Sequence, residues 1–336
     1  MYEAYYRLAA KPFQLSPDPG FFYDSKGHRR AMSYLEYGLH QGEGFIVITG
    51  EIGAGKTTLV RNLFRKLEKE QVVAAQLVST QLDAEDMLRM VAAAFGLPHE
   101  DVSKAVLLRD LERFLLACHR QGKRALLVVD EAQNLAPRAV EELRMLSNFQ
   151  AAEKPLLQSF LLGQPEFRLT LQSEGMQQLR QRVIASYHLG PLDAADTRAY
   201  IEHRLHTAGW EGDPAFDDSA FDAIFKFTGG IPRKINVVCD RLLLMGCLEE
   251  LHGFDGAAVK NVTDDLQSEL GVPEGKGGGA RNAAKGPWRS GSDLLTDVER
   301  LETRVTRMEK SVGNVLRLSR QILSLPHVKA LREEGR

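Results

Sequence analysis

The residues of this chain best suited to chemistry lie in one short run, Gly50-Glu51-Ile52-Gly53-Ala54-Gly55-Lys56-Thr57-Thr58. Glycines at this spacing let a tight turn aim its backbone N–H groups inward, at the oxygens of a phosphate chain. Lys56 then reaches the terminal phosphates, and the Thr57 hydroxyl is placed to ligate magnesium. A helix opening at Thr57 adds the positive end of its dipole. The plain alternative is an ordinary glycine-rich turn. The position of the run, after an apolar strand and before a helix, counts against it. The implied ligands are ATP and Mg2+.

A second constellation complements the first. Leu126-Leu127-Val128-Val129 is an apolar run ending in Asp130-Glu131. A carboxylate at the end of a buried strand beside a phosphate loop can hold magnesium through water, and Asp130 fits that task. The carboxylate directly after it, Glu131, suits activation of a water molecule. Alone, Asp-Glu after an apolar strand is often just a polar strand end. An adenylate or small-molecule kinase would use the same loop, with less reason to place this pair here.

These residues need elements to position them. Phe45–Thr49 reads as a buried strand, Thr57–Gln71 as a helix with Leu59, Leu63 and Leu67 on one face, and Val72–Ser79 as a second strand. Ala84–Phe95 and Ser103–Gly122 read as helices, and Ala125–Val129 as a third strand followed by a helix opening near Pro137. Leu156–Leu162 and Tyr187–Leu189 are the fourth and fifth strands. Strands that alternate with helices and are apolar on both faces predict a five-stranded parallel sheet covered on each side, an α/β P-loop core over residues 1–192. From about Asp193 only helices are expected: Ala194–Ala208, Asp218–Phe227, Pro232–His252 and Gly256–Leu270, an all-helical lid over 193–270.

Residues 271–292, with Gly275-Lys-Gly-Gly-Gly279 and Pro287, read as a flexible linker. In the tail that follows, Leu294, Val298, Leu301, Val305, Met308, Val312, Val315 and Ile322 fall on alternating 4,3 spacings with charges between them. A coiled-coil helix over 293–325 is expected, with an amphipathic helix packed on its own protein as the alternative.

Composition narrows the class. Of the 336 residues 43% are hydrophobic and 26% charged, ordinary values for a soluble globular protein of two domains and a tail. A net charge of −2 argues against coating nucleic acid by electrostatics alone. Cys118, Cys239 and Cys247 sit in helix-like apolar patterns without metal-ligand spacing and read as buried thiols of a reducing compartment. The first residues lack the apolar core of a signal peptide, and no apolar run approaches the roughly 18 residues of a membrane span. The expected location is cytoplasmic, with contact to the inner membrane only through a partner.

The phosphate loop, the Asp130-Glu131 pair and an all-helical second domain together resemble the AAA+ superfamily. More narrowly, several segments are similar to the general secretion pathway protein A (ExeA-like) ATPases. They are Pro12-Phe13, Ser16-Pro-Asp-Pro19, His28-Arg29-Arg30-Ala31, Leu162-Gly-Gln-Pro-Glu166, Leu179-Arg-Gln-Arg-Val183, Tyr187-His-Leu189 and Gly229-Gly-Ile-Pro-Arg233-Lys-Ile-Asn236. The resemblance covers about residues 1–270, and the chain looks like the variant found with exopolysaccharide export and PEP-CTERM/exosortase loci. It implies ATP hydrolysis by a homo-oligomer, a nucleotide-dependent ring, acting on a protein partner in secretion or polysaccharide export. By the same resemblance Gln164 takes the sensor-1 position near the γ-phosphate or attacking water, where Asn or Thr is more usual. Arg182 takes the arginine-finger position, with Arg180 the near alternative, and Arg233 the sensor-2 position. His28 is open between lining an adenine pocket and capping a helix at the surface. Two rival readings are a DNA-transposition regulator of the TniB/TnsC type and a scaffold that binds ATP without turnover. The core shows no basic run for DNA, and Glu131 is superfluous to a scaffold.

Overall fold

The computed structural model describes residues 1–16, 18–67, 71–78 and 83–270. The expected linker at 271–292 and coiled-coil helix at 293–325 lie outside the described residues. In chain order the elements are α1 (Tyr2–Tyr5), α2 (Lys26–Gln41), β1 (Phe45–Gly50), α3 (Lys56–Leu67), β2 (Val72–Val78), α4 (Ala84–Ala94) and α5 (Lys104–Arg120). Next come β3 (Arg124–Asp130), α6 (Pro137–Leu146), β4 (Gln150–Ala151), β5 (Lys154–Pro155), β6 (Leu157–Gly163), α7 (Glu166–Gln172), α8 (Gln177–Arg180) and β7 (Val183–Leu189). The last are α9 (Ala194–Thr207), β8 (Ala215–Phe216), α10 (Asp218–Thr228), α11 (Pro232–Leu248), β9 (Gly253–Phe254) and α12 (Gly256–Leu270).

Side chains alternate across a strand, and here both faces are apolar, so the sheet must be covered twice. Ile46 and Ile48 of β1, Leu126 and Val128 of β3, and Phe160 and Leu162 of β6 pack with Leu35 of α2 and Leu59 and Leu63 of α3. Their neighbours Phe45, Val47, Leu127, Val129 and Leu161 face the other way, onto Val91 of α4, Leu111 of α5 and Leu143 of α6. The five strands run in the order β2-β3-β6-β1-β7, and every pairing is parallel. All carboxyl ends therefore lie along one edge. Since β6 separates β1 from β3, the residues after Gly50, Gly163 and Asp130 meet there, the usual place for a ligand in such a sheet.

A second apolar core joins Ile201 and Leu205 of α9, Phe221 and Ile224 of α10, Leu242 of α11 and Val259 of α12. The first residues of the chain, grouped by sequence order with the sheet core, contribute Tyr2, Tyr6, Leu8 and Phe13 to this helical core. The Tyr6 hydroxyl donates to the Leu251 carbonyl at 2.9 Å, and Arg204 Nε donates to the Pro12 carbonyl at 2.5 Å. The helices begin where their caps dictate. Asp193 and Asp217 accept backbone N–H bonds at the starts of α9 and α10, and Pro232 opens α11, where the missing N–H costs nothing.

Two sequence expectations change. The helix expected over Pro232–His252 stops at Leu248, because Glu250 adopts a left-handed φ of 57° and the Leu251 N–H turns back to the Gly246 carbonyl at 2.8 Å. The released chain forms β9, which pairs in parallel with β8, so residues 193–270 are not free of strands. The fifth strand starts at Val183 rather than Tyr187. It is an edge strand with Ser186 and His188 exposed, and that polarity conceals its apolar alternation.

Candidate nucleotide-binding site

The loop between β1 and α3 is built on backbone that only glycine adopts cheaply. Gly53 and Gly55 have φ of 83° and 100°, and a Cβ on either would lie 2.3 Å from Arg233 Cβ or 2.6 Å from His28 Nε2. The loop is thus gripped between the start of α11 and the start of α2. The Arg233 N–H donates to the Gly53 carbonyl at 3.2 Å, which seats the helical region directly on the loop. Ser25 caps α2: its Oγ accepts from the His28 N–H at 3.2 Å and lies 2.8 Å from His28 Nδ1. His28 is buried, lines the cleft and bonds to the Ala54 backbone, so it props the phosphate loop instead of capping a surface helix. Burial pulls its pKa below the usual histidine value, which keeps the ring neutral.

Lys56 is the first residue of α3 and is only 5% exposed. Its ammonium donates to the Gly50 carbonyl at 2.6 Å and the Glu51 carbonyl at 3.1 Å. Burial lowers its pKa, while the facing carboxylates of Glu131 and Asp130 act against that shift. Thr57 Oγ1 donates to Asp130 Oδ2 at 2.9 Å, and Asp130 Oδ1 accepts from the Glu131 N–H at 3.0 Å. Hydroxyl and carboxylate therefore stand side by side at the foot of the loop. This pair fits Mg2+, which takes one or two protein oxygens and completes its shell with water and substrate phosphates. Among the described residues no group of three or more His, Cys, Asp and Glu side chains forms a protein-only metal cage.

Glu131 has a left-handed backbone, φ 55° and ψ 40°, an arrangement that costs about 1–3 kcal/mol and must be held by its surroundings. Its Oε2 accepts from Gln133 Nε2 at 2.5 Å and from Gln164 Nε2 at 3.3 Å. Gln133 Oε1 in turn accepts from the Gln164 N–H at 2.9 Å. The structure thus brings Glu131 and Gln164 together, and Gln133 is an addition that sequence reasoning misses. Its only signal was an amide two places beyond the carboxylate.

The cleft beside the loop is closed by parts distant in sequence. Ser16, Phe22, Tyr200, Arg204 and Asn236 all line it. Arg204 is 7% exposed and stacks over Phe21 at 5.1 Å, and its Nη1 donates to the Tyr200 hydroxyl at 3.0 Å. Arg233 lines the cleft as an exposed cation. The two finger candidates lie elsewhere. The Arg182 carbonyl accepts from the N–H of Phe45 at 2.9 Å, at the amino end of β1, so five residues of strand separate it from Gly50. At about 3.3 Å per residue that is roughly 17 Å, out of reach of its own phosphate loop. Its guanidinium donates to Ser147 Oγ at 2.5 Å and to Asn148 Oδ1, while Arg180 donates to the Leu171 carbonyl at 3.1 Å.

Comparison with known proteins agrees with this arrangement. Residues 39–171 match the model of the AAA domain. General secretion pathway protein A of Aeromonas hydrophila is 42% identical over 245 residues, 73% of this chain and 44% of that protein. An uncharacterised HTH-type transcriptional regulator of Methanocaldococcus jannaschii is 25% identical over 166 residues, 48% of this chain and 40% of its own length. The chain thus spans less than half the length of the curated relatives it matches. Among solved structures, Cdc6p from Pyrobaculum aerophilum aligns with a TM-score of 0.57 at 15% identity, covering 76% of this chain and 74% of that one. The Aeropyrum pernix ORC2 protein aligns at 0.54 and 15%, covering 77% and 75%; at these identities both show the fold alone. By its AAA domain, its fold and its sequence relative, the chain belongs to the AAA+ family, in the general secretion pathway protein A group.

Proposed function

We propose that the chain binds ATP with Mg2+, hydrolyses it as an oligomer, and uses the nucleotide state to assemble or remodel a protein partner of an envelope secretion or exopolysaccharide export system. The observation that carries the reading is the meeting of Lys56, the Thr57–Asp130 pair and Glu131 at one end of the sheet, beneath a loop that is closed from above by Arg233. Backbone N–H groups of 50–57 and the Lys56 ammonium hold the phosphates, and the Asp130–Thr57 oxygens hold the cation. Magnesium, when bound, neutralises charge that builds on the phosphate oxygens.

Glu131 takes a proton from a water molecule whose oxygen forms a bond to the γ-phosphorus. The bond from that phosphorus to the bridging oxygen breaks, and its electron pair leaves with ADP. Gln164 bonds the Glu131 carboxylate and is placed to orient the same water. Arg182, far from its own loop, would act on the γ-phosphate of a neighbouring subunit, which makes oligomer formation a condition of turnover. Such a finger contributes about 10³–10⁵ in rate where one is present. Arg233 reports phosphate occupancy to the helical region through its bond to the Gly53 carbonyl. The same proposal treats residues 1–192 as the nucleotide core and 193–270 as the lid. It places the protein in the cytoplasm, at the inner membrane only through its partner; no described helix is long and apolar enough to cross a membrane.

The experiment is hydrolysis and equilibrium binding by the full chain, with and without DNA, beside Lys56→Ala. The reading expects Mg2+-dependent phosphate release that DNA leaves unchanged, and no binding in the variant. A DNA-stimulated rate supports the transposition-type alternative instead, and tight binding without turnover supports a scaffold.

A further inference from the structure

The Glu131 carboxylate does not stand free in the cleft. One of its oxygens accepts from two glutamine amides, Gln133 Nε2 at 2.5 Å and Gln164 Nε2 at 3.3 Å. Gln133 is the hub of the group, because its other amide atom, Oε1, accepts from the Gln164 backbone N–H at 2.9 Å. A single side chain thus ties the end of β3 to the end of β6 across the floor of the site. The tie has a mechanical reason. Glu131 sits in a left-handed backbone conformation that glutamate seldom adopts, at the point where the chain leaves β3 for the short turn Ala132–Asn134. That turn carries Gln133 back over Glu131, and the Asn134 N–H closes it onto the Glu131 carbonyl at 3.0 Å.

A carboxylate that must take a proton from a particular water needs a fixed direction for its free oxygen. The amide at 133 supplies both the donor that Glu131 needs and the acceptor that Gln164 needs. We infer that Gln133 is a positioning residue for hydrolysis: its amide fixes the Glu131 carboxylate and the Gln164 backbone in one geometry, so that one Glu131 oxygen is left to receive the proton of the attacking water. This rests on the reading of Glu131 as the base.

The substitutions are made in the full chain and measured for ATP affinity and for steady-state kcat and KM, with Glu131→Gln as reference. Gln133→Ala keeps ATP affinity within about twofold and lowers kcat by roughly 10–100-fold, the cost of letting a reacting group drift by about an ångström. Gln133→Glu is the sharper test, since it has the same shape and keeps an acceptor for the Gln164 N–H. It sets a second carboxylate against Glu131. With the donor gone the Glu131 carboxylate is no longer held in place, so kcat falls while nucleotide affinity stays within about twofold. A residue that merely fills space would show no such split between kcat and nucleotide affinity.

A kcat within twofold of the unsubstituted protein in either Gln133→Ala or Gln133→Glu overturns the inference. Should Gln133→Ala melt at assay temperature by circular dichroism, Gln133→Glu alone decides. Normal turnover in Glu131→Gln brings down the parent reading instead, and the inference with it. A dead Glu131→Gln beside an unaltered Gln133→Ala and Gln133→Glu removes the inference and leaves that reading intact.

Discussion

Gly53→Ala tests whether the helical region is mechanically seated on the phosphate loop. The added methyl would fall 2.3 Å from Arg233 Cβ, at a φ of 83°. Gly42, in the left-handed cap that ends α2, provides a control, because its φ is 73° and nothing lies within 4 Å of an added Cβ. Alanine at 42 therefore meets only the left-handed penalty, about 1–2 kcal/mol. Alanine at 53 meets that penalty, an overpacking term of about 1–3 kcal/mol and the loss of the Arg233 N–H to Gly53 bond, about 1 kcal/mol. The totals are roughly 1–2 kcal/mol for Gly42→Ala and 3–6 kcal/mol for Gly53→Ala. At about 2–4 °C per kcal/mol for a unit of this size, the control melts roughly 2–8 °C lower and the test variant roughly 6–24 °C lower. The second readout is specific. Pushing Arg233 off the loop would remove the charge-assisted phosphate contact proposed for it, and should weaken ATP by about 10–100-fold, whereas Gly42→Ala should bind normally. Thermal melts with and without ATP, and equilibrium titration of both variants, read this directly. If Gly53→Ala melts with Gly42→Ala and binds ATP as tightly as the unsubstituted protein, the contact between loop and helical region has no energetic weight.

The position of Arg182 at the far end of the sheet predicts complementation. Mixing Arg182→Ala with Lys56→Ala subunits should restore part of the hydrolysis each lacks alone, measured across mixing ratios; no recovery at any ratio would move the role to Arg180 or remove it. Ser147→Ala with Asn148→Ala, which frees the Arg182 guanidinium from its two acceptors, should lower kcat several-fold while ATP affinity is unchanged, as steady-state kinetics would show. Protonation of His28 is linked to unfolding. Its folded pKa lies below the ordinary histidine value, so the unfolded chain binds the extra proton first, and stability falls as pH drops below about 6.5. His28→Asn should flatten that part of the pH–stability curve in denaturant melts, leaving the share contributed by half-buried His203, whose pKa is lowered in the same way.

The readable parts of this molecule were those whose physics is local. The phosphate loop, the Asp130-Glu131 strand end and the apolar strands β1 and β3 each declare themselves within ten residues, since loop geometry and two-faced burial leave few residue choices. What escaped was set by distant contacts. Nothing near Tyr2 or Phe13 announces that they complete a core built mainly from α9 to α12. Nothing near Arg204 announces that its guanidinium reaches Pro12. Gln133 gives no signal because an amide in a turn has many ordinary uses, and only the folded positions of Glu131 and Gln164 give it two partners. His28 stays open in the sequence for the same reason: sequence shows a helix start, while the structure shows the phosphate loop resting on it. The end of α11 is hidden because the apolar pattern runs on past Leu248, and the left-handed turn at Glu250 has no glycine to signal it.

The central claim is that this cleft turns over ATP with Glu131 as the base, and the most direct measurement is ATP binding set beside ATP hydrolysis in Glu131→Gln. The substitution keeps the shape and the Asp130, Thr57 and Lys56 contacts, and removes only the proton acceptor. The account predicts an unchanged dissociation constant with hydrolysis slowed by about 10²–10⁴-fold. Unslowed phosphate release in Glu131→Gln would contradict it.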